Sequence, residues 1–247
     1  MNNSRWYSFG YTHVGKLRKI NQDAFADLSD KQLWVVADGM GGHKSGELAS
    51  KAIIDSMTAL QPVKHIGATV RAVYRELLKV NADLLQMAAD DSIGEVIGST
   101  VVILLARKRH CVYLWSGDSR IYLFRNGRLR QLTRDHNNES MLQDNGFTAA
   151  EIKAYPFAQT LTHAIGAERN LYFSAQIQEV IPGDTFLLCS DGLNKEVPDQ
   201  EIENILQTEA LAQVVNRLIE LALQRGARDN VTVLLARAPE DKPDKDA

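Results

Sequence analysis

Only two cysteines, Cys111 and Cys189, occur in 247 residues, too few for a disulfide framework to staple the chain. Each lies in an apolar, strand-like run (Cys111-Val-Tyr-Leu-Trp115 and Phe186-Leu-Leu-Cys189) and reads as a buried thiol. The roughly 18 consecutive apolar residues of a membrane-spanning helix are also missing. Met1-Asn-Asn-Ser-Arg-Trp6 has no apolar stretch behind a basic start, so no secretory leader is read there and a cytoplasmic location is expected. No Lys/Arg block occurs, and a net charge of -3 with a pI near 6.1 offers no broad basic surface to a nucleic acid or a membrane. Repeats of solenoid type are lacking too. What remains, 45% hydrophobic and 24% charged residues, suits one soluble domain with a sizeable core.

Local patterns assign the segments. Asp27-Leu-Ser-Asp30 is turn-like and separates an extended segment around Gln22 to Ala26 from the apolar run Leu33-Trp-Val-Val-Ala37. Ser45 is a candidate N-cap for a helix whose Leu48, Ala52, Ile53, Met57 and Leu60 recur at helical spacing until Pro62. Ile66, Val70, Val73, Leu77, Val80, Leu84 and Met87 then form a narrow seam, which predicts a second helix packed antiparallel on the first. From Ser99 to Leu132 the chain is rich in β-formers, with Arg125-Asn-Gly-Arg128 as a two-residue hairpin turn. Residues 133–166 are polar and irregular, with short helices around Glu139 to Asp144 and Ala149 to Ala154, as in a lid or flap. Strands resume at Leu171 to Val180 and Thr185 to Cys189; a helix bearing Leu211, Val214, Val215, Leu218 and Leu221 ends near Gly226, and Val231 to Ala236 is the last strand. These segments predict an α+β fold, a central antiparallel β-sandwich flanked by pairs of helices in α-β-β-α layers. Residues 1–238 are read as one domain with the flap inside it, and 239–247 as a charged, disordered tail.

Three apolar runs end in a carboxylate: Leu33 to Asp38-Gly39, Val112 to Asp118, and Phe186 to Asp191-Gly192. A carboxylate at the mouth of a buried strand is costly unless something positive meets it, and an adjacent glycine lets a ligand approach the backbone. Asp229 precedes a strand, which in an antiparallel sheet puts it at the same edge as neighbouring strand ends. Single Asp-Gly pairs usually mark turns. Four together, with Arg18 and Asp23 in the first extended segment, point instead to an all-oxygen site for hard cations such as Mg²⁺ or Mn²⁺.

These residues resemble the type 2C, metal-dependent protein serine/threonine phosphatases, in particular their single-domain bacterial members. The resemblance runs through Arg18-Lys-Ile-Asn-Gln-Asp23, Val36-Ala-Asp38-Gly-Met-Gly-Gly-His43, Gly98-Ser-Thr100, Ser116-Gly-Asp118-Ser-Arg120, Leu132-Thr-Arg-Asp-His136, Leu161-Thr-His-Ala-Ile-Gly166, Cys189-Ser-Asp191-Gly-Leu193 and Asp229-Asn-Val-Thr232. It implies two Mn²⁺ or Mg²⁺ ions with a third possible, Asp38 bridging the pair, Asp191 and Asp229 completing one ion, and the Gly39 carbonyl on the other. Asp23 would act through metal-bound water, and Arg18 would clamp the substrate phosphate. A metal-activated hydroxide would attack phosphorus in line, without a phosphoenzyme. The implied substrates are phosphoserine and phosphothreonine proteins, in the pathway of a cognate kinase of bacterial signalling or secretion, acted on by a monomer.

Some positions depart from the family pattern. Gln22 stands where Glu is common. Met40 replaces the His proposed as general acid in animal members, and His43 is a nearby substitute or a structural hydrogen bonder. His163 stands where Arg is frequent, and both it and His136 suit flap structure. Lys195 occupies the place of an Asp that helps Asp118 hold the third ion; it is expected to pair with Asp118 or weaken that ion, the competing reading being a solvent-facing lysine that caps the turn. A cysteine-dependent phosphatase would need Arg six residues after a cysteine, where Gly117 and Lys195 stand, and no P-loop is present. A silent phosphoprotein-binding module would not need these carboxylates, and a nuclease would want a basic groove.

Overall fold

The structure, a computed structural model, describes residues 5–42, 44–61, 65–90, 96–207 and 210–240. In chain order the elements are β1 (Tyr7–His13), β2 (Asp23–Leu28), β3 (Leu33–Met40), α1 (Ser45–Ala59), α2 (Ile66–Asp90), β4 (Gly98–Ser99), β5 (Val101–Arg107), β6 (His110–Ser116), β7 (Arg120–Arg125) and β8 (Arg128–Gln131). There follow α3 (Asn138–Asp144), α4 (Ala149–Ala154), β9 (Ser174–Glu179), β10 (Thr185–Cys189), α5 (Asp191–Asn194), α6 (Asp199–Leu206), α7 (Leu211–Gln224) and β11 (Val231–Arg237). One sheet has the order β1-β11-β10-β7-β8 and the other β2-β3-β5-β6-β9, with β4 attached to β3. Neighbouring strands pair antiparallel.

Alternation along the strands builds the layers. On β3, Leu33, Val35 and Ala37 join Ile53 and Met57 of α1 and Val73, Leu77 and Leu84 of α2 in one apolar cluster. The intervening Trp34 and Val36 join Ile121 and Leu123 of β7, Phe186 and Leu188 of β10, and Leu234 and Ala236 of β11 between the sheets. On the far side, Leu187, Val233 and Leu235 meet Ile202 and Leu206 of α6 and Val214, Leu218 and Ile219 of α7. Both faces of the central strands are buried, so the expected α-β-β-α sandwich forms, with both cysteines inside it as free thiols.

β1 and α6 are the longest elements that escaped the sequence reading, beside the short β4 and α5. β1 carries its aromatic residues outward and its small ones inward: Tyr7 and Tyr11 are exposed, whereas a Cβ on Gly10 would come within 2.7 Å of the Phe25 ring and 2.8 Å of Leu234. Hydropathy alone cannot flag a strand whose inward row is Ser8, Gly10 and Thr12. The short helix α6 begins at Asp199 after Pro198 and is marked by Ile202 and Leu206 at i, i+4 spacing. α1 starts at Ser45, but Lys44 is its N-cap and no side chain caps it, so Ser45 is not the cap. The Asn-Gly turn forms as read, with φ of 52° at Asn126 and 74° at Gly127. His43 and residues 241–247 of the tail lie outside the described residues.

Between β8 and β9 the chain leaves the sheets. Asn137 caps α3 by accepting the Ser140 N–H, and Thr148 and Glu151 form a capping box on α4. Bridges between Asn137 and Leu161 and between Ser99 and Ile165 tie the excursion back to its base.

Candidate active site

Strand parity delivers the acidic residues to one mouth of the sandwich. Asp38 continues the row of Trp34 and Val36 beyond the apolar layer, and Asp23 stands directly opposite it across the β2–β3 ladder. Two aspartates in register repel each other unless they are neutralised. Asp191 follows β10, Asp118 lies between β6 and β7, and Asp229 leads into β11. A cavity of about 260 Å³ is lined by Asp38, Asp118, Asp191 and Asp229 together with Arg18, Gln22, Gly39, Met40, Gly41, Thr100 and Lys195, and by Gln159 and Leu161 from the excursion. The structure thus brings the candidate carboxylates together, with Asp23 buried beneath them; Gln159 was not found from sequence, and Leu161, though part of a quoted motif, was not read as a cavity residue, since neither carries a chemical signal.

Each carboxylate is held differently. Asp23 Oδ2 accepts hydrogen bonds of 2.7 Å from both Ser190 Oγ and Thr232 Oγ1, while its Oδ1 is buried without a partner. Burial raises Asp23 to about 7, opposed by the Ser190 and Thr232 hydroxyls and reinforced by Asp191 and Asp229. Asp38 is pushed well above the ordinary carboxylate range by burial and then by Asp23, Asp191, Asp118 and Asp229. Its backbone is fixed by Thr100, whose N–H donates to the Asp38 carbonyl at 2.8 Å, and by Ser99 Oγ on the same oxygen at 3.0 Å. Gly39 tolerates no side chain, because a Cβ there would collide with the Gly46 carbonyl. Asp118 is raised to about 7 by burial and Asp191, with Lys195 pulling the other way. The preceding Gly117 is held in a left-handed conformation (φ 104°), its carbonyl accepting from the His136 N–H at 3.0 Å.

Two cations answer these charges. Arg18 donates to Asp229 Oδ2 at 2.8 Å, and Lys195 Nζ is bonded to Asp191 Oδ2. Burial would lower the Lys195 ammonium, but Asp191, and beyond it Asp118 and Asp38, raise it. Lys195 is partly open to solvent yet engaged in the site, and its hydrogen-bonded partner is Asp191 rather than the expected Asp118. Among the described residues no three His, Cys, Asp or Glu groups already surround a common point, and two of the carboxylates are held in these ion pairs. The chemistry still fits hard cations: the donors are all oxygen, the carboxylates destabilise one another, and Asp23 Oδ1 and Asp191 Oδ1 are buried with nothing to bind.

The histidines belong to the base of the excursion. His136 stacks on Trp115 and meets His163 and Tyr172 edge-on or tilted, 5.4 Å away in each case. Burial and then His163 lower His136 to about 4, which keeps it a neutral hydrogen bonder.

The chain as a whole is similar to known proteins. The serine/threonine phosphatase Stp of Listeria welshimeri is 32% identical over 236 residues, covering 91% of this chain and 92% of its own. The structure of PppA, a key regulatory component of T6SS in Pseudomonas aeruginosa, superposes with a TM-score of 0.88 at 41% identity, covering 95% of this chain and 98% of that one. The catalytic domain of the serine/threonine phosphatase PstP, solved with 2 manganese ions, superposes with a TM-score of 0.83 at 31% identity, covering 96% and 99%. With the protein phosphatase 2C pattern matching residues 10–236 as well, the chain belongs to the protein phosphatase 2C family and is a protein serine/threonine phosphatase.

Proposed function

We propose that this chain hydrolyses phosphoserine and phosphothreonine in proteins at the mouth described above, with a pair of Mn²⁺ or Mg²⁺ ions. The observation that carries the reading is the convergence of Asp38, Asp118, Asp191 and Asp229 on one cavity with Asp23 paired to Asp38 beneath it, one buried oxygen each of Asp23 and Asp191 lacking a hydrogen-bond partner. Asp38, Asp191, Asp229 and the Gly39 carbonyl would hold the pair, and Asp23 would support it from beneath. When bound, the ions supply an acidified water and charge for the phosphate oxygens.

The protein's own groups do the rest. Arg18 is half-exposed and its ion pair with Asp229 is open to solvent, so the pair contributes about 1 kcal/mol or less. Exchanging that carboxylate for a phosphate dianion costs little, and the guanidinium fork can then take two phosphate oxygens. Ser190 and Thr232 keep Asp23 aimed by holding one of its oxygens. Lys195, on Asp191, supplies resident positive charge near Asp118 and disfavours a third ion there.

Residues 1–238 would work as one catalytic unit, with 133–166 as a flap whose Gln159 and Leu161 meet the substrate. The enzyme would oppose a serine/threonine kinase in the cytoplasm, as a monomer; no described helix is long and apolar enough to cross a membrane. The likeness to a regulatory component of T6SS makes a secretion-linked kinase pathway the first to test. The decisive experiment is hydrolysis of a phosphothreonine peptide and of p-nitrophenyl phosphate by purified protein with Mn²⁺, with and without a chelator. Mn²⁺-dependent release of phosphate is expected. Turnover that is absent, or indifferent to the chelator, overturns the reading.

A further inference from the structure

The segment that carries Arg18 belongs to no helix or strand. Between β1 and β2 the chain runs through Val14 to Gln22 with Lys16, Leu17, Arg18 and Lys19 all exposed. One buried side chain gathers it. The Asn230 Nδ2 donates to the Val14 carbonyl at 2.8 Å and to the Ile20 carbonyl at 3.1 Å, and its Oδ1 accepts the Gln22 N–H at 2.8 Å. Asn230 is only 4% exposed. Val14 and Ile20 flank the exposed stretch, so a single amide nitrogen pins both ends of the loop that presents Arg18. The third bond fixes Gln22, whose own carbonyl accepts the Gly39 N–H at 3.0 Å beside Asp38.

Only asparagine supplies this set at this reach. Two carbonyls require two donors and one N–H requires an acceptor, and a primary amide offers both. Aspartate has no donor to give and would repel the carbonyls; alanine would take the partner from three part-buried backbone groups. The same residue's backbone N–H donates to Asp229 Oδ1 at 2.9 Å, so the carboxylate that Arg18 contacts is set by the same turn. Gly15 lets the loop lie against this turn: its φ is +78°, a Cβ would strike the Asp229 carbonyl, and the Lys16 N–H donates to the Ala227 carbonyl at 2.9 Å.

We infer that Asn230 is a positioning residue for the reaction, its side-chain amide cinching the 14–22 loop so that Arg18 is presented to phosphate in one place. It acts through Arg18 and touches no reacting atom. The inference rests on the proposal that Arg18 clamps the substrate phosphate.

A double-mutant cycle tests it. In Asn230→Ala, KM for a phosphothreonine peptide should rise on the order of tenfold while kcat changes less, since a clamp displaced by about an ångström loses binding first. The dissociation constant for Mn²⁺ by calorimetry should change less than threefold. In an Arg18→Ala background the same substitution should change KM less than twofold, because no clamp is left to misplace. An unchanged KM for Arg18→Ala alone would defeat the clamp reading. A raised KM for Arg18→Ala, with an equal Asn230→Ala effect in both backgrounds, would defeat the positioning role and leave the clamp standing. Weakened Mn²⁺ binding with unchanged KM would equally overturn it, by assigning Asn230 to Asp229 alone. Should Asn230→Ala fail to fold, Asn230→Asp, which keeps the shape but loses both donors, carries the same cycle.

Discussion

Replacing Lys195 by alanine should tighten Mn²⁺ binding, contrary to the usual damage done by emptying a site of its charge. The ammonium occupies Asp191 Oδ2, an oxygen proposed to hold metal, and adds positive charge where a divalent ion must enter. Coulomb repulsion between a unit charge and a divalent ion about 5 Å away is ~2 kcal/mol at the dielectric of water and ~7 kcal/mol at an effective value of about 20. The Lys195 side chain is 41% exposed, so the screened end applies, about 2 kcal/mol or roughly a 30-fold gain in affinity. An opposing effect exists, because Lys195 pulls Asp118 down and its loss leaves that carboxyl more readily protonated. Repeating the titration at rising pH separates the two effects, because the protonation penalty shrinks as Asp118 ionises while the loss of the ammonium's repulsion persists. Calorimetric titration of chelator-stripped protein reads the affinity, and the Mn²⁺ dependence of p-nitrophenyl phosphate hydrolysis reads its consequence. Lys195→Asp should bind tighter still and admit an additional ion, whereas Lys195→Arg should resemble the parent. Affinities unchanged or weakened in both Lys195→Ala and Lys195→Asp would refute the argument that this ammonium competes with metal.

Metal-free protein should lose stability as pH rises. Burial holds Asp23 and Asp118 near 7, against about 4 in an unfolded chain, so between these values the folded state binds more protons and stability declines from about pH 4 to pH 7; urea titrations in chelator should show that slope and Mn²⁺ should flatten it. Asp38→Asn should reduce Mn²⁺-supported turnover by about a thousandfold or more, yet raise the melting temperature of the metal-free protein by removing one member of the repelling set; a lowered melting temperature would contradict the electrostatics. Away from the mouth, Arg125 bonds both oxygens of Asp184, at 2.7 and 2.6 Å, and the Asp184 side chain is buried. Arg125→Ala should therefore cost about 3–5 kcal/mol in urea denaturation while leaving kcat of the folded enzyme unchanged.

Legibility in the sequence followed burial. β3, β5 and β10 are buried on both faces and read as apolar runs, as does β11 save for Thr232, so the sandwich and the strand-end aspartates could be placed from patterning alone. β1 could not, because its large side chains face outward and its inward row is small to make room for Phe25 and Leu234. The acidic set was visible because strand-end carboxylates carry chemistry in their identity. Their supports were less visible: Ser190, Thr232 and Asn230 act through hydrogen bonds to residues 167 to 216 positions away. No local rule reports such bonds. Lys195 was singled out from the family pattern, but its partner depended on side-chain geometry that spacing cannot fix.

The pairing of β1 with β11 joins the two ends of the fold, and this bears on the protein while it is being made. Arg18 leaves the ribosome early, but Asp229 and Asn230, which receive and shape it, come 211 and 212 positions later. At about 5–20 residues per second that interval is on the order of ten seconds or more. Throughout it the nascent chain has neither the Arg18–Asp229 contact nor its full acidic mouth, and β10 waits with one edge unpaired. Competence to remove phosphate therefore arrives all at once with the last strand, and a chain cut short before it would be inert.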